Sequence, residues 1–260
     1  MANGNVLGVI AIKGGVGKTT LVANLGATLA NKFDKKVLLV DANFSTPHLG
    51  LSLGLANPQI SIHDVLNHES TIFKALYKHP AGFHIIPGAL TGKKIDPLGL
   101  KQSLAPLKPY YDLIILDSSP ALNDEMFAAI SASDKLLVVT SPDHPTLSST
   151  LHAVKIAKQK KTPVIGLVIN KSRNKGFEIS KEEIENLAGL PVLSILPDDI
   201  SVLKALSFSA PVTLYSPYKK VSREYSKLAS ALIGETPKSF FNSINNFLTE
   251  MFTFGKNKQN

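Results

Sequence analysis

The run Lys13-Gly14-Gly15-Val16-Gly17-Lys18-Thr19-Thr20 restricts this 260-residue chain more than any other feature. An apolar stretch from Val6 to Ile12, broken only by Gly8, feeds into it, and Leu21, Val22, Leu25 and Leu29 follow at helical spacing. A buried strand, a glycine-rich turn and a helix form the setting in which such a run binds phosphate. Gly14, Gly15 and Gly17 let the backbone wrap an anion closely, so that its N–H groups and the helix N-terminus face the negative charge. Lys18 is then placed to reach the outer phosphates of a nucleotide, and the Thr19 hydroxyl to bind Mg²⁺. Val16 and Thr20 complete the set of nucleotide-binding candidates in the loop.

Elsewhere short apolar runs alternate with helical patterns. Residues 37–40, 113–116, 136–139 and 164–169 are almost wholly apolar, as strands buried on both faces must be. Residues 84–86 and 192–196 read as further strands. Helices are expected at 19–31, 61–67, 97–106, 124–131, 145–160, 180–188, 199–207 and 217–233. The expected fold is α/β: a doubly wound, mostly parallel sheet between helix layers. A break at Gly234-Glu235-Thr236-Pro237 divides one domain, 1–233, from a linker and short helix, 234–260.

The chain has no cysteine, which excludes disulfides, thiolate metal sites and iron–sulfur ligation by this chain alone. A basic leader and an apolar run of 18 residues are both missing, so neither a signal peptide nor a membrane span is expected. The net charge is +8, and residues 150–230 hold 13 Lys/Arg against 7 Asp/Glu. The basic clusters are Lys155, Lys158, Lys160 and Lys161; Lys171, Arg173 and Lys175; and Lys219, Lys220, Arg223 and Lys227. They read as a solvated lysine-rich surface, or as a face for DNA phosphates or anionic lipid.

The C-terminal segment has its own pattern. Phe240, Phe241, Ile244, Phe247, Leu248, Met251 and Phe252, with Phe254, fall on one helical stripe about 160° wide. Pro237 suits the first turn of such a helix and Gly255 its end. Its polar face carries Asn, Ser, Thr and Glu250, without the Lys/Arg that interfacial helices favour. The stripe can lie on a membrane surface, or in a groove of its own domain or of a partner.

With Lys13 ahead of the glycines, K-G-G-x-G-K-[ST]-[ST] resembles the deviant phosphate loop of the MinD/ParA group of P-loop ATPases. Residues 5–233 follow that group in order. The resemblance implies a P-loop NTPase fold, ATP and Mg²⁺ as cofactors, and a Lys13 that crosses a dimer interface to the partner's nucleotide. Asp117, closing the apolar run from Leu113, is similar to the group's Walker-B carboxylate, and Ser118-Ser119-Pro120 to its switch II. Asp41 is similar to the start of switch I, where it joins Thr19 and Asp117 around the metal. The group commonly has D-x-D there, the second Asp orienting the attacking water, whereas this chain reads Asp41-Ala42-Asn43. An amide can hold a water but cannot take a proton, which implies slow hydrolysis.

Asn170-Lys171 follows the 164–169 run. By resemblance Asn170 reads the adenine edge; from the residue alone it is equally a turn-forming Asn. Pro197-Asp198-Asp199 looks like the stretch lining the base, and the tail like the membrane-targeting helix of MinD-like proteins. Together these imply a cytoplasmic ATPase that forms a homodimer with ATP and becomes peripheral on a membrane through its tail. An activating protein partner would release it, in cell division or a related positioning process. Two alternatives stay open: a partition-type ATPase that binds nonspecific DNA, and an ATP-binding dimeric scaffold with little hydrolysis.

Overall fold

The structure is a computed structural model and describes residues 4–90 and 95–236. The elements in order are β1 (Asn5–Ile10), α1 (Lys18–Phe33), β2 (Val37–Ala42), α2 (Leu49–Ser52), α3 (Ile62–Leu66), β3 (Tyr77–Lys78) and β4 (His84–Ile86). Then come α4 (Leu100–Leu104), β5 (Leu113–Ser118), α5 (Asp124–Ala132), β6 (Lys135–Thr140), α6 (His144–Gln159) and β7 (Val164–Ser172). The described chain closes with α7 (Lys181–Ala188), β8 (Val192–Pro197), α8 (Ile200–Ser207), α9 (Val212–Tyr215) and α10 (Lys220–Ile233).

The strands form one sheet in the order β3-β4-β2-β5-β1-β6-β7-β8. Every pairing is parallel except β3 with β4, so the sheet is mostly parallel as expected. The apolar strand runs explain the layers, because alternate side chains leave opposite faces. Leu7, Val9, Leu39, Ile115, Leu137 and Val168 enter one core, packed under α1, α9 and α10. Their neighbours enter two cores on the other face: Val6, Val40 and Ile114 under α3 and α4, and Ile10, Val138 and Ile169 under α5, α6 and α7.

Several boundaries depart from expectation. The first strand stops at Ile10, two residues before the end of its apolar run. Helix 97–106 is instead a 3-10 turn at Pro97–Gly99, then α4, then a 3-10 stretch Ala105–Tyr110 that contains Pro109, whose missing N–H and ring disfavour a continuous α-helix. The 217–233 pattern begins at Lys220, and α2, α9 and β3 were not read from sequence, being too short to show periodicity. Asn170 and Lys171 lie inside β7, not in a turn after it. The amphipathic stripe at 240–252 lies outside the described residues. No helix among the described residues is long and apolar enough to cross a membrane.

Candidate functional site

β1 sits between β5 and β6, and the chain turns from one side of the sheet to the other around it. Ligands of open α/β sheets bind outside the strands' carboxyl ends at such a point. The Lys13–Thr20 loop leaves β1 there. A cleft of about 530 Å³ opens beside it, lined by Gly14, Gly15, Gly17, Lys18, Thr19 and Thr20. Gly17 is the N-cap of α1 with φ +94°, and a Cβ on it would lie 2.3 Å from Asn170 Nδ2. Only glycine suits that position. Among the described residues no side chain caps α1, and no acidic residue stands in its first turn, so the N-terminus keeps its positive end for an anion. In the general phosphate-loop pattern G-x-x-x-x-G-K-[ST], the first glycine falls at Ile12 here. Ile12 has no positive φ and packs part-buried against the α5–α6 core, so glycine is not required there.

Two residues at the end of β7 brace the loop. Asn170 Nδ2 donates to the Val16 carbonyl at 2.7 Å, and Lys171 Nζ donates to the Gly15 carbonyl at 2.7 Å. Asn170 thus has its amide N–H engaged by the loop while still lining the cleft. Val16 turns its side chain into the core, leaving only its backbone to the site.

The metal candidates meet at the strand ends. Parallel register places Asp41 of β2 beside Asp117 of β5. Thr19 Oγ1 donates to Asp117 Oδ2 at 2.6 Å. Asp41 Oδ1 accepts the Asn43 N–H at 3.2 Å and Oδ2 the Leu49 N–H at 3.0 Å. Burial raises the Asp41 carboxyl well above its ordinary value, and the charge of Asp117 raises it further. Burial also lifts Asp117 to about 6, against the opposing Thr19 hydrogen bond and the Lys18 and His48 charges. Asp117 Oδ1 is buried with no hydrogen-bond partner among the described residues. Two neighbouring buried carboxylates, one with an oxygen unused, beside a threonine hydroxyl, are a donor set of hard oxygens that fits Mg²⁺. Thr19, Asp117 and Asp41 would hold it, and it would supply positive charge against nucleotide phosphates. Lys18, buried beside them, has its ammonium pKa lowered by that burial, with Asp117 opposing the shift.

Val202, Leu203, Leu206, Val221 and Tyr225 also line the cleft, together with Pro197, Asp198 and Asp199. An N–H-rich loop and apolar side chains in one cleft suit a molecule that carries both phosphates and a flat base. Asp199 N-caps α8 through the Ser201 N–H, and Asp198 Oδ2 accepts from Arg173 Nε at 2.9 Å.

Lys13 points away from its own loop. Its Nζ donates to Thr146 Oγ1 at 2.8 Å and contacts Asp143 Oδ1 at 3.4 Å, both at the start of α6. Asn43 spends its amide locally: Nδ2 donates to the Thr46 carbonyl at 2.6 Å and Oδ1 accepts the Thr46 hydroxyl at 3.2 Å. Sequence reading missed Thr46, His48 and Arg173, which also line the cleft; loop residues off any periodic pattern give no signal. The basic clusters do not form one face. Lys155–Lys161 belong to α6 and the turn after it, and Lys220–Lys227 to α10, on opposite sides of the sheet.

The CobQ/CobB/MinD/ParA nucleotide binding domain model matches residues 7–212. An uncharacterised ATP-binding protein of Methanocaldococcus jannaschii is 33% identical over 225 residues, covering 85% of each chain. The septum site-determining protein MinD of Thermotoga maritima is 30% identical over 243 residues, covering 89% of each. Among solved structures, the septum site-determining protein MinD of Pyrococcus horikoshii, complexed with Mg-ADP, superposes with a TM-score of 0.84 at 27% identity. It covers 88% of this chain and 96% of that one.

Proposed function

The chain belongs to the CobQ/CobB/MinD/ParA nucleotide binding domain family, and from that premise we propose that it is a MinD-like ATPase whose ATP-bound homodimer holds to a membrane surface and whose hydrolysis releases it. Domain 1–233 binds MgATP. Lys18, Thr19 and the backbone N–H groups of Gly14 to Thr20 take the phosphates; Asp41, Asp117 and Thr19 take the metal. The 234–260 segment, with Phe240 to Phe252 as its apolar stripe, is the membrane contact. The protein is then cytoplasmic, and peripheral on membrane when ATP-bound, with an activating protein partner.

The observation that carries this reading is Lys13. Its ammonium is half-exposed and bound to the start of α6, away from its own phosphate loop. A second copy facing the cleft could take that charge, which ties dimerisation to the nucleotide. One tail would bind lipid marginally, because its polar face adds little attraction to anionic headgroups. Two tails on one dimer gain effective concentration without any new contact.

Liposome co-sedimentation tests it, with ATP, ADP or no nucleotide, on the full chain and on a chain ending at Gly234. The expected result is sedimentation of the full chain with ATP only. Equal sedimentation with ADP, or of the shortened chain, overturns the switch. Loss of ATP-dependent binding on charge reversal at Lys155 to Lys161, with DNA in place of liposomes, would favour the partition-type alternative.

A further inference from the structure

Two segments reach the cleft from adjacent strands. The 43–48 segment leaves β2 and brings Asn43, Thr46 and His48 to it; the end of β5 brings Ser118 and the segment after it Pro120. One side chain joins them. Glu125, in the first turn of α5, accepts the Ser45 backbone N–H on Oε1 at 3.1 Å, and accepts the Ser45 hydroxyl on the same oxygen. Glu125 is 7% exposed, and its Oε2 is buried without a hydrogen-bond partner among the described residues. Ser45 and Thr46, by contrast, are exposed.

For stability alone this is a poor arrangement. A buried carboxylate with one oxygen unused is costly, and the residue it holds buries nothing in return. The arrangement does give a fixed loop tip, because the backbone N–H and the hydroxyl of Ser45 both end on one oxygen of a side chain carried by a helix. The base of the segment is held separately. Asp41 takes the Asn43 and Leu49 N–H groups, and the Phe44 carbonyl meets His63 Nε2 at 3.0 Å. Glu125 ties the tip, between these anchors, to the helix that follows the Asp117 strand. The phosphate loop is braced independently, by Asn170 and Lys171.

We propose that Glu125 is a positioning residue for ATP hydrolysis, locking the Ser45–Thr46 tip against α5 so that Asn43 and Thr46 meet the reacting end of the nucleotide in one geometry. The inference rests on the ATPase reading. Because the loop that grips the phosphates is braced elsewhere, loss of Glu125 changes turnover and leaves ATP affinity nearly intact.

The test uses full-length Glu125→Ala, Glu125→Gln, Ser45→Ala and the double variant. It measures steady-state turnover, affinity for a fluorescent ATP analogue, and amide hydrogen exchange of residues 43–48. Glu125→Ala should lower kcat about tenfold or more while Kd moves less than about threefold. Glu125→Gln should keep most of the rate, since its amide oxygen can accept both Ser45 bonds. The double variant should be no slower than Glu125→Ala, because the two side chains act through one contact. Ser45 amide exchange should quicken in Glu125→Ala. Wild-type kcat in Glu125→Ala, proportional loss of affinity and rate, additive single effects, or unchanged exchange would each overturn the proposal. If Glu125→Ala does not fold, Ser45→Pro, which removes both the N–H and the hydroxyl at an exposed position, decides: an unchanged kcat overturns it. A wild-type protein without turnover refutes the ATPase reading itself, and the positioning role falls with it; unchanged exchange beside normal wild-type turnover refutes only the positioning role.

Discussion

Replacing Asp117 by Asn should make the ligand-free protein more stable at neutral pH while destroying its use of magnesium. Asp117 is 1% exposed, lies in register with the fully buried Asp41, and leaves Oδ1 unpaired. Burial raises it to about 6 from an ordinary 3.8. The folded state therefore holds the proton more tightly than the unfolded chain does. Above pH 6 the ionised group opposes folding in full; the penalty shrinks as pH falls toward 3.8 and is absent below it. A shift of about two pH units at ~1.4 kcal/mol each gives roughly 3 kcal/mol, an upper figure. Asn keeps an oxygen for the Thr19 hydroxyl and carries no charge. In EDTA at pH 7.5 the variant should melt about 6–12 °C higher, the scale for a domain of this size. Thermal unfolding from pH 4 to 8 should show that gap closing toward pH 4. With MgATP the order should reverse, since ligand stabilises the wild type alone. A variant less stable than wild type at pH 7.5 in EDTA, or a gap independent of pH, would refute the account of Asp117 as a carboxylate whose proton is held by burial.

Lys13→Ala should bind ATP but give no ATP-dependent dimer by light scattering; a dimer equal to the wild type would remove the cross-subunit role. Gly17→Ala puts a methyl at φ +94° and 2.3 Å from the Asn170 amide. It should cost roughly 1–3 kcal/mol by urea unfolding and abolish nucleotide binding; unimpaired binding would contradict the close approach. Asn43→Asp restores a carboxylate but cannot donate to the Thr46 carbonyl, now 2.6 Å from Nδ2. It should lose about 1–3 kcal/mol of stability by unfolding, and a neutral effect would mean the clip contributes nothing.

The phosphate loop, the strand runs and the family could be read from the chain because their causes are local. Gly14 to Thr19 form one turn, and a short all-apolar run recurring between helical patterns fits a strand covered on both sides. Asp117 was legible as the polar end of such a run. The limits of the site were not. Asp41 and Asp117 are 76 positions apart, and only the order β2-β5-β1 brings them side by side, where burial raises both pKa values and the Asp117 charge raises that of Asp41 further. Asn170 reads from sequence as a base reader or a turn residue; that it sits inside β7, two strands from β1, and also braces the Val16 carbonyl is set by the sheet. Asn43 reads from sequence as a weaker substitute for a water-orienting Asp; its clip to Thr46 depends on the bend of the loop and shows in no spacing. Nor does any spacing announce that Glu125 meets Ser45 across 80 residues. Local composition sets which segments are strand, helix and phosphate loop, because those choices depend on burial and backbone freedom within a few residues. Which carboxylates repel, which amides are already engaged and where a lysine points depend on distances between segments, and these exist only once the sheet has closed its order.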